Sequence, residues 1–195
     1  MNDFMPSDEL IAHVKVSEGL VLVPRPDPVG IVTYGYGHRT YAGENIPPSI
    51  TEEHADLVLA SDLQKASQAV RLYVEVEMSQ DQFDALTDFS FNFGAQALHG
   101  STMLHRVNAD DWEAAAHECG KWIHDHAGNV LPGLVTRREW DAERLFAADT
   151  IASTVVYVAP IEDPAQQRAN EQMVADFKSE GTMTLVPDDG PTTAA

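Results

Sequence analysis

Three residues in the first sixth of the chain have the types and spacing of a hydrolytic site: Glu18, Asp27 and Thr33. Glu18 falls at the end of a helical stretch, where the negative end of the dipole disfavours an ionised carboxylate by about 0.3–1 kcal/mol. It also follows Val14 by four residues, on the side that Leu10, Ile11 and Val14 make apolar, and desolvation works in the same direction. A carboxyl so placed suits a proton donor; the competing reading is a frayed helix end with Glu18 in solvent. Asp27 stands in Arg25-Pro26-Asp27-Pro28, where the prolines restrict the backbone and aim the side chain. Pro-Asp-Pro before Val29-Gly30 is also ordinary turn chemistry. Thr33 offers a hydroxyl that can hold water and opens Thr33-Tyr34-Gly35-Tyr36-Gly37-His38. Alternate glycines in a strand-prone run mark a close approach to the backbone, by a ligand or by another segment.

A second grouping, His117, Cys119, His124 and His126, has metal-ligating types. His117 and His124 share a helical face but Cys119 points elsewhere, and no acid-rich frame accompanies them. A helix surface with several histidines is the better reading, so no metal and no cofactor are expected. Cys119 is the sole cysteine, which leaves no internal disulfide and reads as a half-buried helical thiol.

These residues need elements to hold them. Ser7 as N-cap with Asp8 and Glu9 behind it, and Gly19 as stop, predict a first helix. Leu20 to Tyr41, rich in Val, Tyr, Thr, Pro and Gly, predicts short strands and turns. Thr51 before Glu52 and Glu53 opens a long helix to about Tyr73, and Ser79 with Gln82 forms a capping box for a helix ending near Gly94. Further helices are expected from Ser101 through Val107, from an Asp110 cap through Ala115, Ala116 and Trp122, and from Val135 to Ala148. One early helix, a small antiparallel sheet and then helices alone is an α+β arrangement. Two regions follow: a folded part over 1–148 and a C-terminal extension over 149–195. In the extension, Ile151–Val158 is β-prone, Pro164–Lys178 suits a helix and Gly181–Ala195 reads as a disordered end.

With 195 residues and 44% apolar content the chain can build a real core. No run approaches the ~20 apolar residues that a bilayer requires. The start, Met1-Asn2-Asp3-Phe4-Met5-Pro6, has no basic segment and does not read as a secretory signal. The net charge of −19 excludes nucleic acid as a partner, because phosphate neutralisation needs basic patches. It also opposes attraction to an anionic cell wall, and fits a solubility adaptation to a saline medium.

Glu18-Gly19, Asp27 nine residues after the Glu, and Thr33 leading into Gly-Tyr-Gly-His resemble the phage-type lysozymes, glycoside hydrolase family 24. The resemblance continues in Gln82-Phe83-Asp84-Ala85-Leu86, Phe91-Asn92-Phe93-Gly94, Ser101-Thr102-Met103-Leu104 and Leu131-Pro132-Gly133-Leu134-Val135-Thr136-Arg137-Arg138-Glu139. It covers about residues 7–148. It implies a two-lobed lysozyme-like fold, with a sheet lobe and a helical lobe joined by the long helix and a glycan cleft between them. It further implies hydrolysis of the β-1,4 bond between N-acetylmuramic acid and N-acetylglucosamine in bacterial peptidoglycan. Glu18 would be the general acid, and Asp27 and Thr33 would position the water or stabilise the sugar cation. Inversion goes with carboxyls ~6.5–9.5 Å apart. Gly35 and Gly37 would admit sugar rings, and Asn92 would be a polar contact. Arg137 or Arg138 would meet either Glu18 or the saccharide, with at least one of the two at the surface. His38 would pair with Asp62 and tie the sheet to the long helix; two solvated groups are the alternative.

The resemblance also implies a monomer held in the host cytoplasm until a holin-type membrane lesion lets it reach the wall, without membrane insertion of its own. A non-catalytic wall-binding or virion protein on the same fold, and a zinc-dependent peptidoglycan amidase, are the competing classes.

Overall fold

A computed structural model describes residues 4–27, 30–125 and 127–146. Helix α1 (Asp8–Glu18) starts where Ser7 Oγ accepts from Leu10 N at 3.1 Å, and ends at Gly19, whose φ of 68° turns the chain away. Leu10 and Val14, one helical repeat apart, are its buried residues. Strands β1 (Val21–Pro26), β2 (Val32–Gly35) and β3 (His38–Arg39) form an antiparallel sheet in chain order. Arg25 pairs with Thr33, Thr33 with Arg39 and Tyr34 with His38. The β1–β2 turn is closed by Asp27 N donating to Ile31 O at 2.8 Å.

Helix α2 (Glu52–Tyr73), capped by Thr51, is the shared beam. Its first half, Ala55, Leu59 and Leu63, packs with Leu10, Val14, Tyr34, Tyr36 and Ile50 into one core. Its second half, Ala69 and Val70, enters another core with Phe83, Leu86, Phe89, Leu98, Met103, Val107, Trp122 and Leu145. Two cores strung on one helix make the two lobes, and the α+β lysozyme-like arrangement holds.

The second lobe is built around α3 (Gln80–Phe93), whose capping box of Ser79 and Gln82 is complete. Every residue from Gln82 to Ser90 is buried, so α3 is covered on all sides and not along one stripe. Around it lie α4 (Ala95–Gly100), α5 (Thr102–Asn108), α6 (Trp112–Cys119) and α7 (Pro132–Phe146).

Several boundaries differ from the sequence expectations. Gly94 at φ 92° breaks the chain between α3 and a short α4 that the sequence reading does not contain. The cap of α6 is Asp111, which accepts from Ala114 N, while Asp110 sits in the left-handed region at φ 59°. Trp122 lies beyond the end of α6. Helix α7 begins at Pro132, a residue preorganised for the first helical position. The elements expected over Ile151–Val158 and Pro164–Lys178 lie outside the described residues.

Candidate active site

Glu18 is the last residue of α1 and its side chain is 23% exposed. Two elements from opposite lobes close on its carboxyl. From the sheet side, the β2–β3 turn brings Gly37 so near that a Cβ there would lie 2.9 Å from Glu18 Oε2. From the helical side, Arg137 Nη1 of α7 donates to Glu18 Oε1 at 2.5 Å. The carboxyl therefore sits at the junction of the lobes, one oxygen against each.

The arginine is fixed from behind. Arg137 Nε and Nη2 donate to the two oxygens of Asp88 at 2.7 and 2.8 Å. Arg138 Nη2 bridges Asp88 at 3.1 Å and Asp141 at 2.8 Å, and its guanidinium lies over both Phe89 and Phe93, 5.2 and 4.9 Å from their ring centres. Burial pushes the Asp88 carboxyl up, but the charges of Arg137 and Arg138 outweigh it and hold Asp88 below the ordinary carboxylate range. His13 of α1 stacks on Trp140 at 4.0 Å with its Nε2 3.9 Å from Asp88. Desolvation lowers its pKa to about 4, against the pull of Asp88 and with the help of the nearby arginines.

Both arginines are buried, Arg137 at 4% and Arg138 at 1% exposure, so neither takes the surface position the sequence suggested. Each nitrogen of the Arg137 guanidinium donates to a carboxylate, so of the two partners expected for it, Glu18 is the one it meets. Asn92 follows Asp88 by four residues on α3 and so shares its face. Its Oδ1 is buried without a hydrogen-bond partner, a polar atom that a ligand could satisfy.

On the sheet, the Asp27 side chain is fully covered. Its Oδ1 accepts from Ile31 N at 2.8 Å and its Oδ2 from Arg39 Nη2 at 2.9 Å. Thr33 Oγ1 donates to Arg25 O at 3.3 Å, across the strand pair whose turn carries Asp27. A hydroxyl used as a donor keeps its lone pairs for a water. The two glycines of the Thr33–His38 run part company. Gly37 faces Glu18, whereas a Cβ on Gly35 would rest in ordinary contact 3.5 Å from Ala55 Cβ, so Gly35 is turned towards α2.

His38 Nδ1 lies 2.5 Å from Asp62 on α2, and its Nε2 lies 3.2 Å from Glu44. The hydrogen bond to Asp62 raises the pKa of His38 against the opposing effect of burial. Glu44 also accepts from Tyr34 Oη at 2.6 Å and from Tyr41 N at 3.1 Å, which ties the loop after β3 to the sheet. The sequence reading contains neither Glu44, Arg39 nor Asp88. A signal existed for Asp88: with Asp84 it places acids four apart in a helix otherwise dominated by apolar and small residues.

The histidines near Cys119 do not converge on it. Cys119 is fully buried while His117 is exposed on the same helix, and His126 lies outside the described residues. Burial, with Asp141 beside it, pushes the Cys119 thiol well up, the reverse of a metal-binding or nucleophilic thiolate.

A small antiparallel sheet and a helical bundle sharing one long helix, with a carboxyl gripped at their junction, define a lysozyme-type fold. The phage lysozyme family matches residues 15–141. The chain is 41% identical over 109 residues to an endolysin of Bacillus phage B103, covering 55% of this chain and 40% of that one. It is 36% identical over 131 residues to the endolysin of Salmonella phage P22, covering 66% of this chain and 88% of the relative. Among solved structures, the muramidase domain of SpmX from Asticaccaulis excentricus superposes with a TM-score of 0.67 at 32% identity, covering 73% of this chain and 98% of that one. The chain belongs to the phage lysozyme family.

Proposed function

We propose that this chain is an endolysin-type muramidase that cleaves the β-1,4 bond between N-acetylmuramic acid and N-acetylglucosamine in bacterial peptidoglycan. The observation that carries the reading is the Glu18 carboxyl, held between Arg137 and Gly37 where the lobes meet. Glu18 donates its proton to the glycosidic oxygen as the C–O bond breaks. Positive charge grows on the sugar ring, and a water held by Asp27 and Thr33 adds to the anomeric carbon and gives up its proton to Asp27. Addition from the face opposite the leaving group inverts the configuration. Asp27 is preorganised for this: its Oδ1 accepts from the Ile31 amide and its Oδ2 from Arg39, which fixes the direction of both oxygens. Asn92 supplies a polar contact to the glycan from α3. The fold and relatives of lysozyme type support an action on peptidoglycan; release through a lesion made by a membrane-disrupting partner and action as a monomer belong to the same proposal. Among the described residues, no helix is long and apolar enough to cross a membrane.

Purified peptidoglycan tests the reading. Wild type should clear its turbidity and release new reducing ends that are N-acetylmuramic acid, and Glu18→Gln should lose about 10²–10⁴-fold of the rate. An inert wild type, an equally active variant, or new free amino groups in place of reducing ends would overturn it.

A further inference from the structure

We propose that Asp88 is a positioning residue of the reaction, acting on Glu18 through Arg137; this rests on Glu18 being the proton donor. A guanidinium is planar, and its donors point along fixed directions. Asp88 takes the side formed by Nε and Nη2, with one oxygen on each, at 2.7 and 2.8 Å. That two-point grip fixes the plane of the group, and Nη1 is then the corner that meets Glu18 Oε1. Asp88 cannot turn, because Arg138 holds its Oδ2 from the other side. The relay Arg138–Asp88–Arg137–Glu18 thus runs from the core of the helical lobe to the reacting carboxyl.

The charges around the relay give Asp88 a second consequence. From α1 it faces His13, and from α7 Arg137, Arg138 and Asp141; Glu18 itself is faced by Arg137 and by the backbone at Gly37. His13 is neutral above its depressed pKa of about 4. Asp141 is pushed up by burial, with the arginines pulling it back and the Asp88 charge adding to the rise. Asp88 is therefore the carboxylate charge that Arg137 and Arg138 share. With Asn in place of Asp88, one of the two acceptors that grip Arg137 becomes a donor, and the plane of the guanidinium at Glu18 is no longer fixed.

The test is steady-state hydrolysis of purified peptidoglycan by the full chain across pH, with folding followed by circular dichroism. Asp88→Asn keeps the shape and removes the charge. It should lower kcat about 10–100-fold, as misplacement of a reacting group by ~1 Å does, and leave KM within about twofold. Arg137→Lys keeps the charge but loses the two fixed directions, and should lower kcat similarly. Adding Asp88→Asn to Arg137→Lys should then cost little more, since the two act in series. A folded Asp88→Asn with wild-type kcat overturns the proposal, as do multiplicative losses in the double variant. Should Asp88→Asn fail to fold, wild-type turnover in Arg137→Lys overturns it alone. Glu18→Gln separates the two levels. If it keeps full turnover, the reading of Glu18 as the acid fails. If it is inert while Asp88→Asn is fully active, only the positioning role fails.

Discussion

Gly37 and Glu18 stand against each other at the lobe junction: a Cβ on the glycine would stand 2.9 Å from Oε2 and 3.4 Å from Cδ of the carboxyl. Gly37 also has φ 80°, a conformation that costs an L-residue about 1–2 kcal/mol. Gly37→Ala therefore meets two penalties. It should lower the thermal midpoint measurably and displace the Glu18 carboxyl, with peptidoglycan turnover falling by about 10²-fold, as for a reacting group misplaced by ~1 Å. Gly35→Ala serves as the comparison. It has φ 63° but its Cβ would rest in ordinary contact at 3.5 Å from Ala55, so it should lose stability with a much smaller loss of turnover. Equal turnover losses in the two variants would contradict the assignment.

Arg39 reaches Asp27 Oδ2 from β3, and its own side chain is 42% exposed. The Asp27 end of the pair is fully covered, so Arg39 both offsets the burial of that charge and fixes one oxygen of the proposed water-holding carboxylate. Arg39→Ala should lower the melting temperature and reduce turnover by about 10–100-fold. Full activity in that variant would mean that the orientation of Asp27 does not depend on Arg39.

The clasp of His38 with Asp62 and Glu44 gives stability a defined pH window. His38 is raised above its unfolded value of about 6.5, so its share is complete below that pH and is lost as pH rises through the folded value. Asp62 and Glu44 are raised by burial but lowered further by their hydrogen bonds to His38, Lys65, Tyr34 and the Tyr41 amide. Their share is complete above about pH 4 and is lost as pH falls through the lower folded values. The clasp is strongest between about pH 4 and 6.5. His38→Gln should depress the melting temperature most near pH 5.5 and least near pH 9. A depression independent of pH would show that the clasp is not titrating.

His13 acts with the opposite sign. Its pKa is lowered to about 4, so the folded state favours the neutral ring; that stabilisation is complete above about pH 6.5 and is lost as pH falls towards 4. His13→Phe keeps the stack on Trp140 and removes the titration. The variant's melting temperature should therefore fall less than wild type between pH 6.5 and 4. Parallel curves for the two proteins would remove His13 from the acid response.

What the sequence disclosed followed the range of the interactions. Caps are local, so Ser7, Thr51 and the Ser79–Gln82 box could be read from neighbours one turn away, and each is present. The pairing of His38 with Asp62 came from resemblance, and their 2.5 Å contact spans a strand and a helix. The Asp88–Arg137 grip joins residues 49 apart through a fully buried helix, and no local pattern states which arginine an interior acid will meet. Gly35 and Gly37 show the same limit from the other side. Their alternation says that something comes close, and only the packing says that α2 meets one and Glu18 the other.

The net charge of −19 bears on encounter with the wall and not on the chemistry at Glu18. At 0.01 M salt the screening length is about 30 Å, comparable to a small domain, so an acidic protein and an anionic wall repel over the whole approach. At 1 M it is about 3 Å and repulsion survives only at contact. The initial rate of peptidoglycan clearance at sub-saturating substrate should therefore rise with sodium chloride from 0.01 to about 0.5 M, while kcat at saturation changes little. The relay of Arg138, Asp88, Arg137 and Glu18 is mostly buried and screened far less, which is why the two parameters should separate. A clearance rate that falls monotonically with salt would mean that a local basic surface, and not the net charge, governs the encounter.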